Sequence, residues 1–313
     1  MIAPFADRLM RRVRKLGPLC VGLDPDIAEF SPLFQNGDMR PGEVPTAAAV
    51  GAFCLAVLKC LEGRVAAVKI QSACFERHGA PGVTAMHSVL EEARQRNLLV
   101  ILDVKRGDVG PSAAAYASAY LDSDAPLRAD AITVNPWCGL DTLEPFIAAA
   151  ERSGAGIFAL LKTSNPGADA LQDRPVEGRP LYEHLARALA PLAERLHGAE
   201  SGWSGLGAVV AATQPQAARR LRELLPRSLF LTPGYGAQGA SAADALAGFA
   251  RGPGGPPGSG LEGGLVNSSR QILYTPETRI TGNLRNWQKA IVAGARSAAG
   301  ELARAGKQLA AAG

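Results

Sequence analysis

Eight short apolar segments recur along the chain, and a longer Ala- and Leu-rich segment follows each of them. The short segments are near-continuous apolar runs, as expected for parallel strands that are covered on both faces. Eight strand–helix units in a chain of 313 residues favour an α/β fold of the (β/α)8 TIM-barrel type over a doubly wound sheet. The predicted strands are Leu19–Asp24, Ala66–Gln71, Leu98–Lys105, Ala131–Asn135, Gly156–Lys162, Leu206–Ala212, Ser228–Pro233 and Gly264–Asn267, and the predicted helices span 46–62, 82–96, 111–121, 141–152, 180–198, 214–225, 241–250 and 284–310.

No shift in composition marks a domain boundary, so we expect one domain over residues 1–313. Two segments are interpreted as insertions. Arg251–Gly260 (RGPGGPPGSG) is low in complexity and predicts a flexible loop, and Gly198–Gly205 predicts a shorter one. Residues 288–313 predict a C-terminal helical tail with a frayed end.

Charge and composition exclude several function classes. The formal net charge is only +4 and no long basic run occurs, so we expect neither nucleic-acid nor membrane binding. No stretch approaches the ~18 apolar residues of a membrane span. Residues 1–17 are basic without a following apolar run, which argues against a signal peptide. The five cysteines and four histidines lack metal-site or disulfide spacing. We therefore expect a cytoplasmic protein with reduced thiols.

Charged residues stand at the end of the third predicted strand, in the sequence ILDVKRGD. Asp103 and Lys105 are two residues apart, so they point to the same face of the strand, and Asp108 follows on the loop. Lys69 lies near the end of the preceding strand, which predicts an alternating row of charges that keep one another ionised. A protonated lysine in a dry pocket can protonate carbon or stabilise a developing anion. A structural ion pair plugging the barrel end is the alternative, but it would need neither Asp108 nor Lys69.

Glycine-rich and basic residues follow the seventh and eighth predicted strands. In TIM barrels these two loops commonly bind phosphate. The first is PGYGAQG at Pro233–Gly239, where glycines allow backbone amides to approach a phosphate and Gln238 can donate. The second is NSSR at Asn267–Arg270, where Arg270 can form two parallel bonds. Tight turns explain most glycine-rich loops, but the combination predicts a phosphate site.

Together the motifs resemble those of the orotidine 5′-phosphate decarboxylase family, in its longer bacterial, type 2 branch. The resemblance runs from about Gly22 to Tyr274 and keeps the motif order. It implies decarboxylation of orotidine 5′-monophosphate to uridine 5′-monophosphate (UMP) and carbon dioxide, the last step of UMP biosynthesis, without a metal or an organic cofactor. The residues that carry it are GLDP at 22–25, Lys69, DVKRGD at 103–108, TSNPGA at 163–168, PGYGAQG at 233–239 and SR at 269–270.

The resemblance also implies a role for each candidate residue. Lys105 would donate a proton to C6 after carbon dioxide leaves, Asp103 would lie against the substrate carboxylate, and Lys69 would orient Asp103 and the ribose. Asp108 would complete the network in the neighbouring subunit's site, which implies a homodimer. The substrate-binding residues would be Asp24 at the ribose hydroxyls, Ser112 reaching the partner's site, Ser164 at the pyrimidine, and Gln238 and Arg270 at the phosphate.

Three further points stay open at the level of sequence. Asn135 is as compatible with strand-end structure as with substrate contact. The loop between Gln238 and Arg270 is expected to act as a lid over the phosphate, and the 251–260 segment makes it long. Two other functions are compatible with such a barrel. A Mg²⁺-dependent sugar-phosphate decarboxylase or synthase would have a carboxylate where Lys69 stands. A catalytically silent phosphoribosyl-binding protein would need the phosphate residues but not the charged row.

Overall fold

Eight parallel strands close into a barrel in the computed structural model, which describes residues 2–252 and 260–312. Each strand pairs with its neighbours in chain order, and the last pairs with the first. The predicted (β/α)8 TIM barrel is therefore confirmed. The barrel strands are β1 Leu19–Leu23, β2 Ala67–Gln71, β3 Val100–Arg106, β4 Ala131–Val134, β5 Gly156–Lys162, β6 Ser204–Val210, β7 Ser228–Thr232 and β8 Gly264–Ser268.

Helices surround the barrel and bury their apolar faces against the strands. The longer ones are α1 Phe5–Leu16, α2 Val44–Leu61, α3 Gly79–Gln95, α4 Gly110–Leu121, α5 Glu144–Ser153, α6 Leu181–Ala193, α7 Pro215–Leu224 and α8 Leu284–Ala312. Single helical turns lie at Ile27–Glu29, Pro32–Phe34, Ala73–Glu76, Pro136–Cys138, Leu140–Leu143, Asp169–Gln172, Glu194–Leu196, Ala242–Ala245, Arg270–Leu273 and Pro276–Ile280, and two-residue strands pair Pro175–Val176 with Arg179–Pro180 and Ala250–Arg251 with Leu261–Glu262.

Helix α1 lies before β1 and was not among the predicted helices. Its apolar residues Phe5, Leu9 and Met10 are fully buried in a cluster formed with residues that begin the strands, among them Leu99 and Ala131. The helix thus covers the end of the barrel opposite to the carboxyl ends of the strands. Most of its charged residues occupy the other face, so the segment has the apolar period of an amphipathic helix, which the sequence prediction missed.

Two other sequence predictions were wrong. Gly198–Gly205 is not a flexible insert, because Trp203 is fully buried there and Ser201 donates its backbone N–H to the buried Asp7 of α1 at 2.8 Å. The helix predicted over 241–250 is only the turn Ala242–Ala245, which a Ser241 capping box begins. Most of the predicted loop at 251–260 lies outside the described residues.

Helix α2 is apolar and long enough to cross a membrane, with a mean hydropathy of 1.9 over 18 residues. The prediction that no stretch of the chain is long and apolar enough to cross a membrane was therefore wrong as a statement about composition. Because 61% of the helix is buried against the barrel and its neighbours, its apolar character is explained by core packing. Helix α8 also packs along most of its length, through Trp287, Ile291 and Leu302, so the C-terminal tail is more closely integrated than predicted.

Candidate active site

A cavity of about 880 Å³ opens at the carboxyl ends of the strands. Polar residues at the carboxyl ends of β1 to β5 and of β7 all contribute to its lining. Leu160, Val209 and Leu231 add apolar surface from β5, β6 and β7. The candidate residues that line the cavity are Asp24, Lys69, Asp103, Lys105, Asn135, Ser164, Gln238 and Arg270.

Four charges of alternating sign form a connected row on one side of this cavity. The Asp103 carboxylate accepts from Lys69 Nζ at 2.9 Å and from Lys105 Nζ at 2.6 Å. Lys69 Nζ also donates to Asp24 Oδ1 at 3.3 Å. The side chains of Lys69 and Asp103 are only 6% and 8% exposed, whereas that of Lys105 is 46% exposed. The two inner charges are therefore fixed, and Lys105 presents its ammonium group to the cavity.

The inner pair stays ionised because each charge stabilises the other. Burial alone would raise the pKa of Asp103, but Lys69 and Lys105 more than offset it, and the pKa lies well below its ordinary value. Burial alone would lower the pKa of Lys69, but Asp24 and Asp103 more than offset it, and the pKa lies well above its ordinary value. At neutral pH the site therefore holds an ionised Asp103 carboxylate beside the protonated Lys69.

Lys105 reaches the cavity through an irregularity in β3. Its φ of 44° lies in the left-handed region, where side chains other than glycine cost about 1–3 kcal/mol, and the register between β3 and β4 shifts between Leu102 and Arg106. Thr133 of β4 secures this bulge, because its hydroxyl accepts from the backbone N–H of Lys105 at 2.9 Å and donates to Asp103 Oδ1 at 2.7 Å. Sequence reasoning did not single out Thr133, although it belongs to a polar strand end.

Gln71 is a second residue that the sequence did not single out. It ends β2, and its side-chain amide donates to Asp103 Oδ2 at 3.2 Å. With Lys69, Lys105 and Thr133 it brings the hydrogen-bond donors to the Asp103 carboxylate to four. A polar residue at the carboxyl end of a strand was the available signal.

Asp108 and Ser112 do not line the cavity of their own chain. Asp108 is partly exposed and accepts from the N–H of Val109, while Ser112 is exposed on α4. Within one chain the row therefore consists of Asp24, Lys69, Asp103 and Lys105, and the predicted place of Asp108 in the neighbouring subunit's site stays a prediction. The reason is that Asp108 follows the strand on a loop that turns outward, whereas Asp24 ends the adjacent strand β1.

The loop after β7 uses three of its backbone amides to close its own turn. The N–H groups of Gly236 and Gly239 donate to Ala240 and Gly236, and Ala237 donates to Tyr235. Gly234 has a φ of 104°, which favours glycine and turns the chain toward Gln238. The side chains of this loop, and not a row of free glycine amides, are therefore its main polar contribution to the cavity.

Two further polar residues of this region face the cavity from β8 and its end. Asn267 Oδ1 and Ser269 Oγ are buried and have no hydrogen-bond partner among residues 2–252 and 260–312. Gly22 of β1 lies beside both, and a Cβ there would stand 3.0 Å from Ser269 Cβ. Buried polar atoms without partners are rare, and at a cavity wall they indicate capacity for a ligand.

Asn135 has a structural role in addition to its place on the cavity wall. Its side-chain oxygen accepts from the N–H of Trp137 at 3.1 Å and so caps the helical turn Pro136–Cys138. The structural role is therefore present, and substrate contact by this cavity-lining residue stays a prediction.

A buried lysine fixes the loop that carries Ser164. Lys162 ends β5, is 1% exposed, and its Nζ donates to Asp169 at 2.7 Å and to Asp173 at 2.8 Å. Burial alone would lower the pKa of Lys162, but the two carboxylates raise it above the ordinary value. Gln172 adds a bond to the backbone N–H of Thr163 at 3.0 Å. The loop is thus closed on itself by ion pairs that the sequence analysis did not anticipate.

Within residues 2–252 and 260–312, no group of three or more His, Cys, Asp or Glu side chains is arranged to hold a metal ion. The carboxylates on the cavity wall, Asp24 and Asp103, both pair with Lys69. The donor set of this site is therefore that of an ion-pair network.

Comparison with known proteins gives concordant matches. A sequence profile described as the orotidine 5′-phosphate decarboxylase / HUMPS family matches residues 17–248. The chain is 39% identical to the orotidine 5′-phosphate decarboxylase of Rhodopirellula baltica over 295 residues, which cover 92% of this chain and 95% of that protein. It is 39% identical to the enzyme of the same name from Salinispora tropica over 270 residues, which cover 86% and 89% of the two chains.

Solved structures agree with these matches. The OMP decarboxylase of Leishmania donovani superposes with a TM-score of 0.73 at 30% identity, covering 96% of this chain and 98% of that one. The UMP synthase of the same organism gives a TM-score of 0.74 at 33% identity, covering 96% of this chain and 56% of that one.

Proposed function

Since the chain belongs to the orotidine 5′-phosphate decarboxylase / HUMPS family, we propose that it converts orotidine 5′-monophosphate to UMP and carbon dioxide in pyrimidine biosynthesis. The observation that carries this proposal is the Asp103 carboxylate held between Lys69 and Lys105 at the wall of a nucleotide-sized cavity. The cytoplasm is the proposed location.

The charged row acts on the substrate carboxylate. Asp103 cannot be neutralised by a proton near pH 7, so it disfavours a second carboxylate placed beside it in the ground state. That repulsion is relieved as the carboxylate becomes neutral carbon dioxide. Lys69 keeps Asp103 in place, and its contact with Asp24 extends the row toward the ribose hydroxyls that Asp24 binds.

Lys105 completes the reaction. The bond between C6 and the carboxylate carbon breaks, carbon dioxide leaves, and the electron pair stays on C6. The Lys105 ammonium stabilises the developing charge and then transfers a proton from Nζ to C6, and the lysine regains its proton from water. Apolar surface from Leu160, Val209 and Leu231 keeps the region dry, which strengthens these electrostatic interactions.

Binding energy for the reaction comes mostly from parts of the substrate that do not react. Gln238 and Arg270 bind the 5′-phosphate, and Ser164 contacts the pyrimidine. The unpaired oxygens of Asn267 and Ser269 offer further hydrogen bonds to the ribose phosphate. Interactions that are fully made only in the closed state lower the barrier more than they tighten ground-state binding. The loop between Gln238 and Arg270 is the proposed lid.

The reaction is proposed to need no metal or organic cofactor. Lys69 stands where a Mg²⁺-dependent sugar-phosphate enzyme of the same barrel group would place a carboxylate, and a positive charge there opposes metal binding. Activity that persists in excess EDTA supports this proposal. Loss of activity that added Mg²⁺ restores would favour the sugar-phosphate alternative.

The functional unit is proposed to be a homodimer in which Asp108 and Ser112 complete the partner's site. Both residues lie outside the cavity of their own chain. Nearby, Val109 and Trp137 are 57% and 67% exposed, and the β3 and β4 loops that carry them are joined by a bond from Asn135 N–H to the Arg106 carbonyl. Exposed aromatic and aliphatic side chains are typical of protein interfaces.

The central test follows the loss of orotidylate absorbance with purified protein. We expect turnover by the wild type and a loss of several orders of magnitude in kcat for Lys105→Ala, with UMP still bound. A wild type that does not turn over orotidine 5′-monophosphate would contradict the proposed function. It would favour a phosphoribosyl-binding protein without catalytic activity. A Lys105→Ala variant as active as the wild type would instead overturn only the role of that lysine.

A further inference from the structure

The loop after β7 is tied to the C-terminal helix by one side-chain contact. Tyr235 lies in the middle of the PGYGAQG segment, lines the cavity and is only 4% exposed. Its hydroxyl donates to Glu301 Oε2 of α8 at 2.6 Å. Ser297, one turn earlier on the same helix, donates to Glu301 Oε1 at 3.2 Å. The carboxylate is therefore held on one side by its own helix and on the other by the loop.

The loop has little stiffness of its own. Gly234, Gly236 and Gly239 all have positive φ angles, and the hydrogen bonds among residues 235–240 are internal to the turn. Such bonds fix the shape of the turn but not its position over the cavity. That position is supplied by a buried aromatic side chain with a charged hydrogen-bond partner, together with Gln271, whose side chain lies against Gly236.

The partner helix is rigid enough to serve as the support. Trp287, Ile291 and Leu302 of α8 are buried against the barrel, so Glu301 stands on a packed surface. Burial, with a further contribution from Glu301, raises the pKa of Tyr235 to about 12. The phenol of Tyr235 therefore remains the hydrogen-bond donor at neutral pH.

We propose that Glu301 is a positioning residue for phosphate binding: from α8 it holds Tyr235, and through Tyr235 it holds Gln238 in place for the 5′-phosphate. The inference rests on the proposed function, because it concerns the same ligand. It assigns to the C-terminal helix a part in substrate affinity, although Glu301 itself does not line the cavity.

The test compares a ligand that has the phosphate with one that lacks it. We expect Glu301→Ala and Tyr235→Phe each to weaken UMP binding about tenfold, the size of one hydrogen bond to a charged group, and to leave uridine binding unchanged. Glu301→Gln keeps an acceptor for the tyrosine hydroxyl and should restore most of the affinity. Gln308→Ala, an exposed change on the same helix, is the control and should bind UMP as the wild type does.

Calorimetric titration of the four variants, together with the melting temperature of each, decides the matter. Equal losses for UMP and uridine would show general loosening of the barrel and overturn the inference, as would a Glu301→Ala variant that binds UMP as tightly as the wild type. Should Glu301→Ala fail to fold, Tyr235→Phe carries the same comparison. A wild type that fails to bind UMP would overturn the proposed function itself, and the inference with it.

Discussion

Asp103 shows how much of the chemistry depends on single contacts. Its carboxylate accepts hydrogen bonds from Lys69, Lys105, Gln71 and Thr133. The sequence predicted the two lysines, because they stand at neighbouring strand ends. It did not single out the two uncharged donors, because a polar residue at a strand end is only a weak signal. The charged part of the site was thus predictable, and the groups that orient it were not.

Thr133 provides a test at this scale. Replacement by valine keeps the shape but removes both the acceptor for the Lys105 N–H and the donor to Asp103. We expect a fall in kcat of about tenfold or more and a loss of about 1–3 kcal/mol in the free energy of unfolding, because a buried N–H is left unpaired. Steady-state kinetics and urea denaturation measure the two effects. Thr133→Ser keeps the hydroxyl and is the matched control. Equal behaviour of the two variants would contradict the proposed role.

The lowered pKa of Asp103 predicts a particular pH dependence of stability. A carboxylate with a lowered pKa contributes stability that is fully present above its unfolded-state pKa of about 3.9 and is lost as the pH falls through the folded-state pKa. We therefore expect the difference in unfolding free energy between wild type and Asp103→Asn to be constant from about pH 6 to 8 and to shrink below about pH 4. Urea denaturation across this range measures it. A difference that already shrinks between pH 8 and 6 would indicate that another group dominates.

Among the elements, the loop after β5 is held in place by the side chain of one residue, Lys162. Lys162 joins the strand to Asp169 and Asp173, and these bonds close the segment that carries Ser164. The motif TSNPGA marked this loop in the sequence. The ion pairs that hold this loop could not be predicted. In the sequence, a buried lysine at the end of an apolar run looks the same as a solvent-exposed one.

Lys162→Met should therefore loosen this loop without touching the charged row. We expect about tenfold weaker binding of UMP and unchanged binding of ribose 5-phosphate, which has no base for Ser164 to contact. Lys162→Arg keeps the ion pairs and is the control. Titration calorimetry with both ligands gives the comparison. A parallel loss of ribose 5-phosphate affinity would mean that the loop does not act on the base alone.

At the scale of the whole molecule, the fold determines where Asp108 lies relative to the active site. It lies outside the cavity of its own chain, and Val109 and Trp137 form exposed apolar surface nearby. The predictions of a homodimer and of a single domain over 1–313 both stay predictions. The homodimer can be tested by activity measurements alone. If each active site contains residues of both chains, two variants with defects in different residues can together form one intact site.

Mixing two inactive variants tests the shared site. After reassociation of Lys105→Ala with Asp108→Asn, half of the dimers are mixed and each has one intact site, so about a quarter of wild-type activity should return. Lys105→Ala mixed with Asp103→Asn is the matched control, since each site then contains one defect and no activity should return. Sedimentation measures the assembly. A dimer that shows no recovery in the first mixture would contradict the crossing of Asp108.

The sequence by itself determined the barrel, the rim on which the site lies and the charged residues that form most of it. It could do so because apolar period, strand ends and motif order are local properties of the chain, and parallel strands bring their ends to one rim. The tertiary structure alone decided that Asp24 joins the row, that α1 closes the far end of the barrel, and that Thr133, Lys162 and Glu301 support the site. Most of these features depend on contacts between residues far apart in the chain, such as Tyr235 and Glu301. A local sequence pattern does not show which distant residues come into contact.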